Sequence, residues 1–260
     1  MSTNPYAPPA APVADQTVIQ RGPYVPGGRG VPAGHGWNWI AEGWTLFRSA
    51  PWMWIAIMVV FFVIFLVLAL IPFVGSLAIY LLWPVFGAGL VIGCRVIEEG
   101  GELEFKHLFE GFSNRVGPLV AVGALYLAAW IGILLVAMVV TGASVFALFL
   151  GGGGQDPAAM AAALTTVALV VLIVLALMVP VLMAVWFAPA LVVFHQLGPV
   201  EAIKGSFLGC LRNILPFLVY GIMFTLLAIL ATIPLGLGWL VLGPVTAASL
   251  YTAYRDIYLS

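Results

Sequence analysis

Six long apolar stretches dominate this chain, and a polypeptide built this way can fold only where lipid replaces water around most of it. They run near Pro51–Ile71, Gly75–Cys94, Pro118–Leu150, Ala161–Phe194, Pro216–Ile233 and Gly238–Tyr254. A helical crossing of a hydrocarbon core about 30 Å thick takes roughly 17–25 residues. In the first stretch, fourteen residues between Ile55 and Ile71 are Ile, Val, Leu or Phe, which favours insertion by up to roughly 4 to 8 kcal/mol. Charged residues make up 7% of the chain and hydrophobic ones 63%. A soluble domain carries about 25% charged residues, so this chain has too few to cover a water-facing surface. The pattern predicts an all-α membrane protein with six transmembrane helices. The net charge of -1 leaves no basic surface for nucleic acid.

Residues 1–36 differ from the rest. They are rich in Pro, Ala and Gly and lack apolar periodicity, so they read as a disordered cytoplasmic tail able to recruit a protein partner through its Pro-rich stretch. Residues 37–260 then form the six-span domain. The third and fourth stretches exceed a simple crossing. As one helix, Pro118–Leu150 would reach about 50 Å, so this hairpin should be strongly tilted or project beyond the lipid, with Gly151–Gly154 at its tip.

The basic residues set the orientation. Arg21, Arg29, Arg48, Arg95, Lys106, Arg115, Lys204, Arg212 and Arg255 all fall on the side of the two termini in a six-span topology. Positive charge is retained in the cytoplasm, which predicts cytoplasmic N- and C-termini and insertion in the inner membrane of a bacterium. Trp37, Trp39, Trp44, Trp52 and Trp54 crowd the start of the first span, as an aromatic belt at headgroup level would. Cys94 and Cys210 fall on the reducing side and read as small packing residues.

The chain also repeats itself. A short amphipathic segment ending in proline precedes each odd-numbered span. Trp37, Ile40, Trp44 and Phe47 share one helical face before Pro51; Phe105, Leu108, Phe109 and Phe112 do so before Pro118; Val200, Ile203, Phe207 and Leu211 do so before Pro216. Phe109 and Phe207 stand nine residues before their prolines, and Gly111 and Gly209 seven before. These segments predict interfacial helices, apolar face down. The even-numbered spans each carry an internal proline: Pro84, Pro189 and Pro244. Each frees the carbonyl four residues earlier, marking a hinge or a static kink. The whole reads as three hairpin repeats, each an interfacial helix followed by two spans.

Groups that could carry chemistry are scarce. No Asp, Glu, Lys or Arg falls deep in a span, which argues against a proton relay. His107 and His195 are isolated, and no cluster has metal-ligand spacing. The expectation is a protein without catalytic residues, metal or cofactor. Arg48, Arg115 and Arg212 precede the prolines of the three interfacial segments and Arg255 closes the last span; all four are candidates for contact with anionic lipid headgroups. Pro199, Glu201 and Lys204 read as a helix start, with Glu201 complementing the dipole.

One segment carries a resemblance. Trp186-Phe-Ala-Pro-Ala-Leu-Val-Val-Phe-His195, continuing through Glu201-Ala and Ser206 to Leu211-Arg-Asn213, is similar to a pattern in bacterial membrane proteins grouped around the membrane domain of glycerophosphoryl diester phosphodiesterase. Glu42-Gly-Trp-Thr-Leu-Phe-Arg48 and Tyr251-Thr-Ala-Tyr-Arg-Asp256 also resemble small six-span members of that group. Gly205 stands where a base often precedes the serine. The resemblance implies a helical inner-membrane protein of uncharacterised function, and no phosphodiesterase domain accompanies it.

Two functions follow as expectations. One is a non-enzymatic membrane protein that organises or senses envelope lipids or partner proteins. The other is a transporter or channel for a small or amphipathic solute. A continuous polar path, lined by groups such as Tyr80, Tyr126, Thr141, Thr165, Thr166, Tyr220, Thr225 and Thr232, would distinguish the second from the first.

Overall fold

A computed structural model describes residues 22–150 and 156–260. The described chain is helical, with one isolated β-bridge between Tyr24 and Leu259. Helix α1 spans His35–Ser49, α2 Pro51–Ala69 and α3 Val74–Glu98. A 3-10 helix, Phe105–Phe109, runs into the single turn α4, Glu110–Ser113. The hairpin α5 (Val116–Leu150) and α6 (Pro157–Trp186) follows, then the short α7 (Ala188–His195) and α8 (Pro199–Arg212). Helices α9 (Ile214–Thr232) and α10 (Trp239–Tyr258) complete the bundle.

Among the described residues, five segments are long and apolar enough to cross a membrane: Pro51–Ala69, Val74–Glu98, Val116–Leu148, Pro157–His195 and Ile214–Thr232. Proline opens α2 at Pro51 and lies in the first turn of α5 and α9, where its missing N–H has no intrahelical partner to lose. At 35 and 30 residues, α5 and α6 extend about 52 and 45 Å. The most apolar windows of both are unburied, whereas half of that of α3 is covered by protein.

Packing is concentrated at one end of the bundle. The buried core joins Trp39 and Phe47 of α1, Trp54 and Ile57 at the start of α2, Val85 to Cys94 late in α3, Leu119 and Val122 early in α5, and Leu242 to Tyr258 of α10. At the other end, α2, α5, α6 and α9 present aliphatic side chains outward. That is the arrangement lipid favours: hydrocarbon solvates Leu and Val as well as protein does, so apolar helices gain little by closing on one another. Helix α10 falls outside the five segments because its second half is too polar, carrying Ser249, Thr252, Arg255 and Asp256. Its Ser249 and Thr252 are buried, and Thr252 donates to the Trp39 carbonyl at 2.9 Å.

Four expectations change. Of the tryptophans near the first span, Trp39 and Trp54 are core residues, and the Trp54 indole N–H donates to the Leu46 carbonyl at 3.1 Å; Trp37, Trp44 and Trp52 remain outward. The second amphipathic segment is a 3-10 helix and one α-turn, because the chain breaks at Asn114 and at Arg115, whose φ is 58°. The third behaves as drawn on its large face, with Val200, Leu211 and Leu215 exposed, but its opposite face of Ala202, Gly205, Ser206 and Gly209 is buried in protein. Residues 22–34, placed in the tail by composition, lie along α8 and α10. The Val25 N–H donates to the Tyr258 carbonyl at 2.9 Å and the Arg29 N–H to the Ile257 carbonyl at 2.8 Å. The rest of the expected tail, and the Gly151–Gly154 tip, fall outside the described residues.

Glycine sets how closely these elements approach. A Cβ on Gly111 of α4 would collide with the Val85 carbonyl of α3, and one on Gly209 of α8 with the Tyr258 ring of α10. Gly142 of α5 has nothing within 4 Å of such a Cβ. Gly111→Val should therefore lower stability by about 1–3 kcal/mol through overpacking. Gly142→Ala should be neutral or stabilising by up to about 1 kcal/mol from helix propensity. Thermal unfolding of the two detergent-solubilised variants measures the contrast.

Candidate functional site

Asp256, near the end of α10, gathers three partners from the N-terminal segment and α1. Its carboxylate accepts from the Trp39 indole at 2.9 Å, lies 2.7 Å from His35 Nδ1, and pairs with Arg29 at 3.3 Å. Asn213, fully buried where α8 ends, holds the same segment from the other side. Its Oδ1 accepts from the Val31 N–H at 2.8 Å, and its Nδ2 donates to the Arg29 and Gly209 carbonyls, both at 2.8 Å. Residues 22–31 thus form a strap stitched between α8 and α10, which brings the two described chain ends to one face of the bundle.

The four candidate arginines have different fates. Arg255 is an internal clamp: one Nη donates to Glu98 of α3 and the other to Glu42 of α1 at 2.5 Å. Glu98 also accepts from the Tyr251 hydroxyl at 2.5 Å. Arg212 donates to the strap carbonyls of Gly27 at 3.2 Å and Gly28 at 2.5 Å. Arg115 reaches Gln196 at 3.4 Å, and both residues have left-handed backbone, φ 58° and 56°. Its buried Nε has no hydrogen-bond partner among the described residues. Arg48 is exposed, with no ion pair among the described residues. Arg212 and Arg255 therefore have structural partners, and Arg48 is the member of the four that stands open.

The prolines also divide. Pro84 and Pro244 lie inside α3 and α10 and are buried. Pro189 adjoins a break: α6 ends at Trp186, and Pro189 sits in the first turn of α7. Ser206 explains the break. Its fully buried hydroxyl donates to the Met183 carbonyl at 2.7 Å and accepts from the Phe187 N–H at 2.9 Å. Those two backbone groups would bond each other in an unbroken helix, so the serine from α8 is inserted into the ladder. Pro180, inside α6, is a further internal proline that the comparison of even spans passed over. Glu201 begins α8 as expected, its carboxylate accepting from the Gly198 N–H at 3.2 Å.

Next to the strap lies a cleft of about 240 Å³. Phe194, His195, Tyr251 and Tyr254 form its walls, with Arg95 and Tyr24 at its sides. The Tyr24 ring stacks on His195 at 3.9 Å, and His195 Nε2 lies 2.6 Å from the Tyr254 hydroxyl. Burial, and then the Glu201 charge, raise the Tyr24 phenol above its usual range. Sequence reading missed this site, because Tyr24 lies in a stretch that looks disordered and Arg95 is separated from the other arginines. A larger cleft of about 490 Å³ opens at the far end between α9 and α10. Its Thr225 and Thr232 hydroxyls donate to carbonyls four residues earlier, at 2.7 and 2.8 Å, so its polar groups are already bonded within the protein.

The candidate path-lining groups are divided: Thr225 and Thr232 share the far cleft, and the others do not line it among the described residues. Thr165 and Thr166, like Thr225 and Thr232, bond their own helix. Tyr220 is buried against Ser249 at 2.8 Å. Of the eight, Tyr80 and Tyr126 are the pair in ring contact among the described residues, with centroids 5.7 Å apart.

A helical chain with five membrane-length apolar segments and a polar, interlocked end is an integral membrane protein. It is similar to a probable inner membrane protein of Burkholderia thailandensis, 28% identical over 204 residues, covering 76% of this chain and 75% of that protein. No family model matches the chain. No solved structure matches it.

The serine insertion and the buried thiols generate two expectations. Ser206→Ala leaves the Met183 carbonyl and the Phe187 N–H without their partner, so unfolding in detergent should become easier by about 1–3 kcal/mol. Burial pushes the Cys210 thiol up to about 12, only partly offset by a hydrogen bond with Ser206. At pH 8 its thiolate fraction is on the order of one in ten thousand. A water-soluble maleimide should leave Cys210 unmodified in the folded protein and label it after denaturation, with mass spectrometry as the readout.

Proposed function

We propose that this chain is a non-enzymatic, six-span protein of the bacterial inner membrane, both termini cytoplasmic, that organises or senses envelope lipids or partner proteins through its terminal face. The reading rests chiefly on one observation. The chain's compact core lies at the end carrying the strap and the arginines, beside outward apolar side chains such as Trp52, Val200 and Leu215. An apolar rim next to cationic groups suits the boundary between hydrocarbon and anionic headgroups.

The span count draws support from the Tyr24–Leu259 bridge. Two residues in contact lie on the same side of a membrane, which requires an even number of crossings, and α10 supplies the sixth. The collected arginines favour the cytoplasm for that side. The relative's printed name supports the inner membrane. The three-hairpin repeat rests on the matched spacing of Phe109 and Gly111 with Phe207 and Gly209 before their prolines. The resemblance of the Trp186–Asn213 segment to small relatives of the phosphodiesterase membrane domain rests on its residues alone, and no family model matches the chain. The scattered threonines and tyrosines weigh against the transporter reading. Arg48 is the open headgroup contact of this reading, while recruitment of a partner through residues 1–21 rests on composition alone.

Green fluorescent protein fused separately to each end should fluoresce in both fusions, since it matures in the cytoplasm and not after export. The purified protein should retain phospholipid in native mass spectrometry, and vesicles containing it should leak small solutes no faster than empty ones. A dark fusion would overturn the topology. Lipid-free protein or protein-dependent solute flux would overturn the lipid-organising role.

A further inference from the structure

We propose that the cleft between the strap and the ends of α3, α7 and α10 binds a phosphate ester anion through Arg95. The inference deepens the lipid reading above by naming a site and a ligand chemistry. Arg95 is in the last turn of α3. Its Nε donates to Glu99 at 3.0 Å, an exposed i,i+4 pair with side chains 41% and 50% accessible. Its guanidinium carbon stands 5.2 Å from the Phe194 ring centroid, so an aromatic face fixes the plane of the group. Among the described residues its two Nη groups have no hydrogen-bond partner. A planar fork with both terminal nitrogens open matches the paired oxygens of a phosphate.

The surroundings favour an anion. Among the described residues, Arg95 is the one formally charged residue lining the cleft. The Glu98 carboxylate is engaged by Tyr251 and by Arg255, and Glu99 lies at Arg95's outer side. Phenylalanine and tyrosine rings lower local water access, which strengthens a single charge-assisted contact. Size narrows the ligand. At about 240 Å³ the cleft is below the roughly 300–1,000 Å³ of sites for drug-sized molecules; a headgroup fits and acyl chains do not. Two sources share this chemistry: a phospholipid headgroup entering from the membrane surface, and a soluble phosphate ester. Tyr24 makes the strap part of the site, because its ring stacked on His195 closes one side. An occupied cleft and a docked strap should therefore stabilise each other.

The test uses the full chain in neutral detergent with phosphatidylglycerol, read by native mass spectrometry, with and without excess glycerol 3-phosphate. Arg95→Gln should reduce the bound ester about tenfold, the effect of one charge-assisted hydrogen bond. Arg95→Lys should recover part of it, and Tyr24→Ala should lose several-fold. Lys106→Gln, which removes a cation paired with Glu104 outside the cleft, should leave retention unchanged. Competition by glycerol 3-phosphate identifies a soluble ester as the preferred source; lipid held despite the competitor identifies a headgroup. Retention equal in wild type and Arg95→Gln overturns the cleft assignment while leaving general lipid association intact. Arg95-dependent binding of glycerol 3-phosphate without any lipid upholds the cleft and overturns the lipid-organising reading. A wild-type chain that holds neither overturns both.

Discussion

Hydrocarbon is an indifferent solvent for apolar helices, and the structure depends on that constraint. In water, burial of Leu and Val would draw all the spans together; in lipid it does not, so association must come from close packing and satisfied polar groups. The structure supplies both at one end. Helix α1 meets α9 and α10 at Gly36 and Gly43, positions where a Cβ would strike the opposing backbone. Hydrogen bonds from Thr252 to the Trp39 carbonyl and from the Trp39 indole to Asp256 lock the same surfaces. The far ends of α5 and α6, lacking such contacts, stay apart from the remaining spans.

The same constraint governs the break between α6 and α7. An unpaired carbonyl in a lipid-surrounded bundle costs several kcal/mol, so a helix that breaks at Phe187 needs a partner for the groups it separates. The structure provides Ser206, whose hydroxyl takes up the Met183 carbonyl and the Phe187 N–H. Moving the bend to Phe187 lets α7 turn into the core, where Ala188 to Val192 are all buried. The chain can then reverse at Gln196 and lay α8 across the base of the bundle. A buried hydroxyl thereby holds the break from which α7 carries His195 against Tyr24.

Much of this was legible in the residues. Apolar runs located five membrane-length segments to within a few positions, since insertion depends on composition more than on partners, whereas the sixth stretch, Gly238–Tyr254, is not among them. Pro51, Pro118 and Pro216 marked helix starts because proline's missing N–H is harmless there. Illegible were the features made by long-range pairing. Nothing local distinguishes Trp39 and Trp54 from Trp37 and Trp52, because burial depends on α9, α10 and the α1–α2 corner. Composition made residues 22–34 look unstructured, since their order comes from Asn213, Arg212 and Asp256, about two hundred residues away. Arginine counting identified cations near a membrane surface but could not separate Arg212 and Arg255, which hold the fold, from Arg48 and Arg95, which reach outward.

That separation bears on what the terminal face can do. A guanidinium already bonded to Glu98 and Glu42 would have to break those contacts before meeting a headgroup, so Arg255 stabilises the junction more than it recruits a ligand. Arg95 faces the opposite balance. Its partner Glu99 is exposed, where ion pairs contribute roughly 0–1 kcal/mol, and an incoming phosphate can compete with it. The strap converts this local balance into a larger response. Tyr24 contacts the cleft while the backbone on either side of Val25 is tied to α8 and α10. Occupancy of the cleft is therefore coupled, through one aromatic ring, to the docking of the segment from which residues 1–21 emerge.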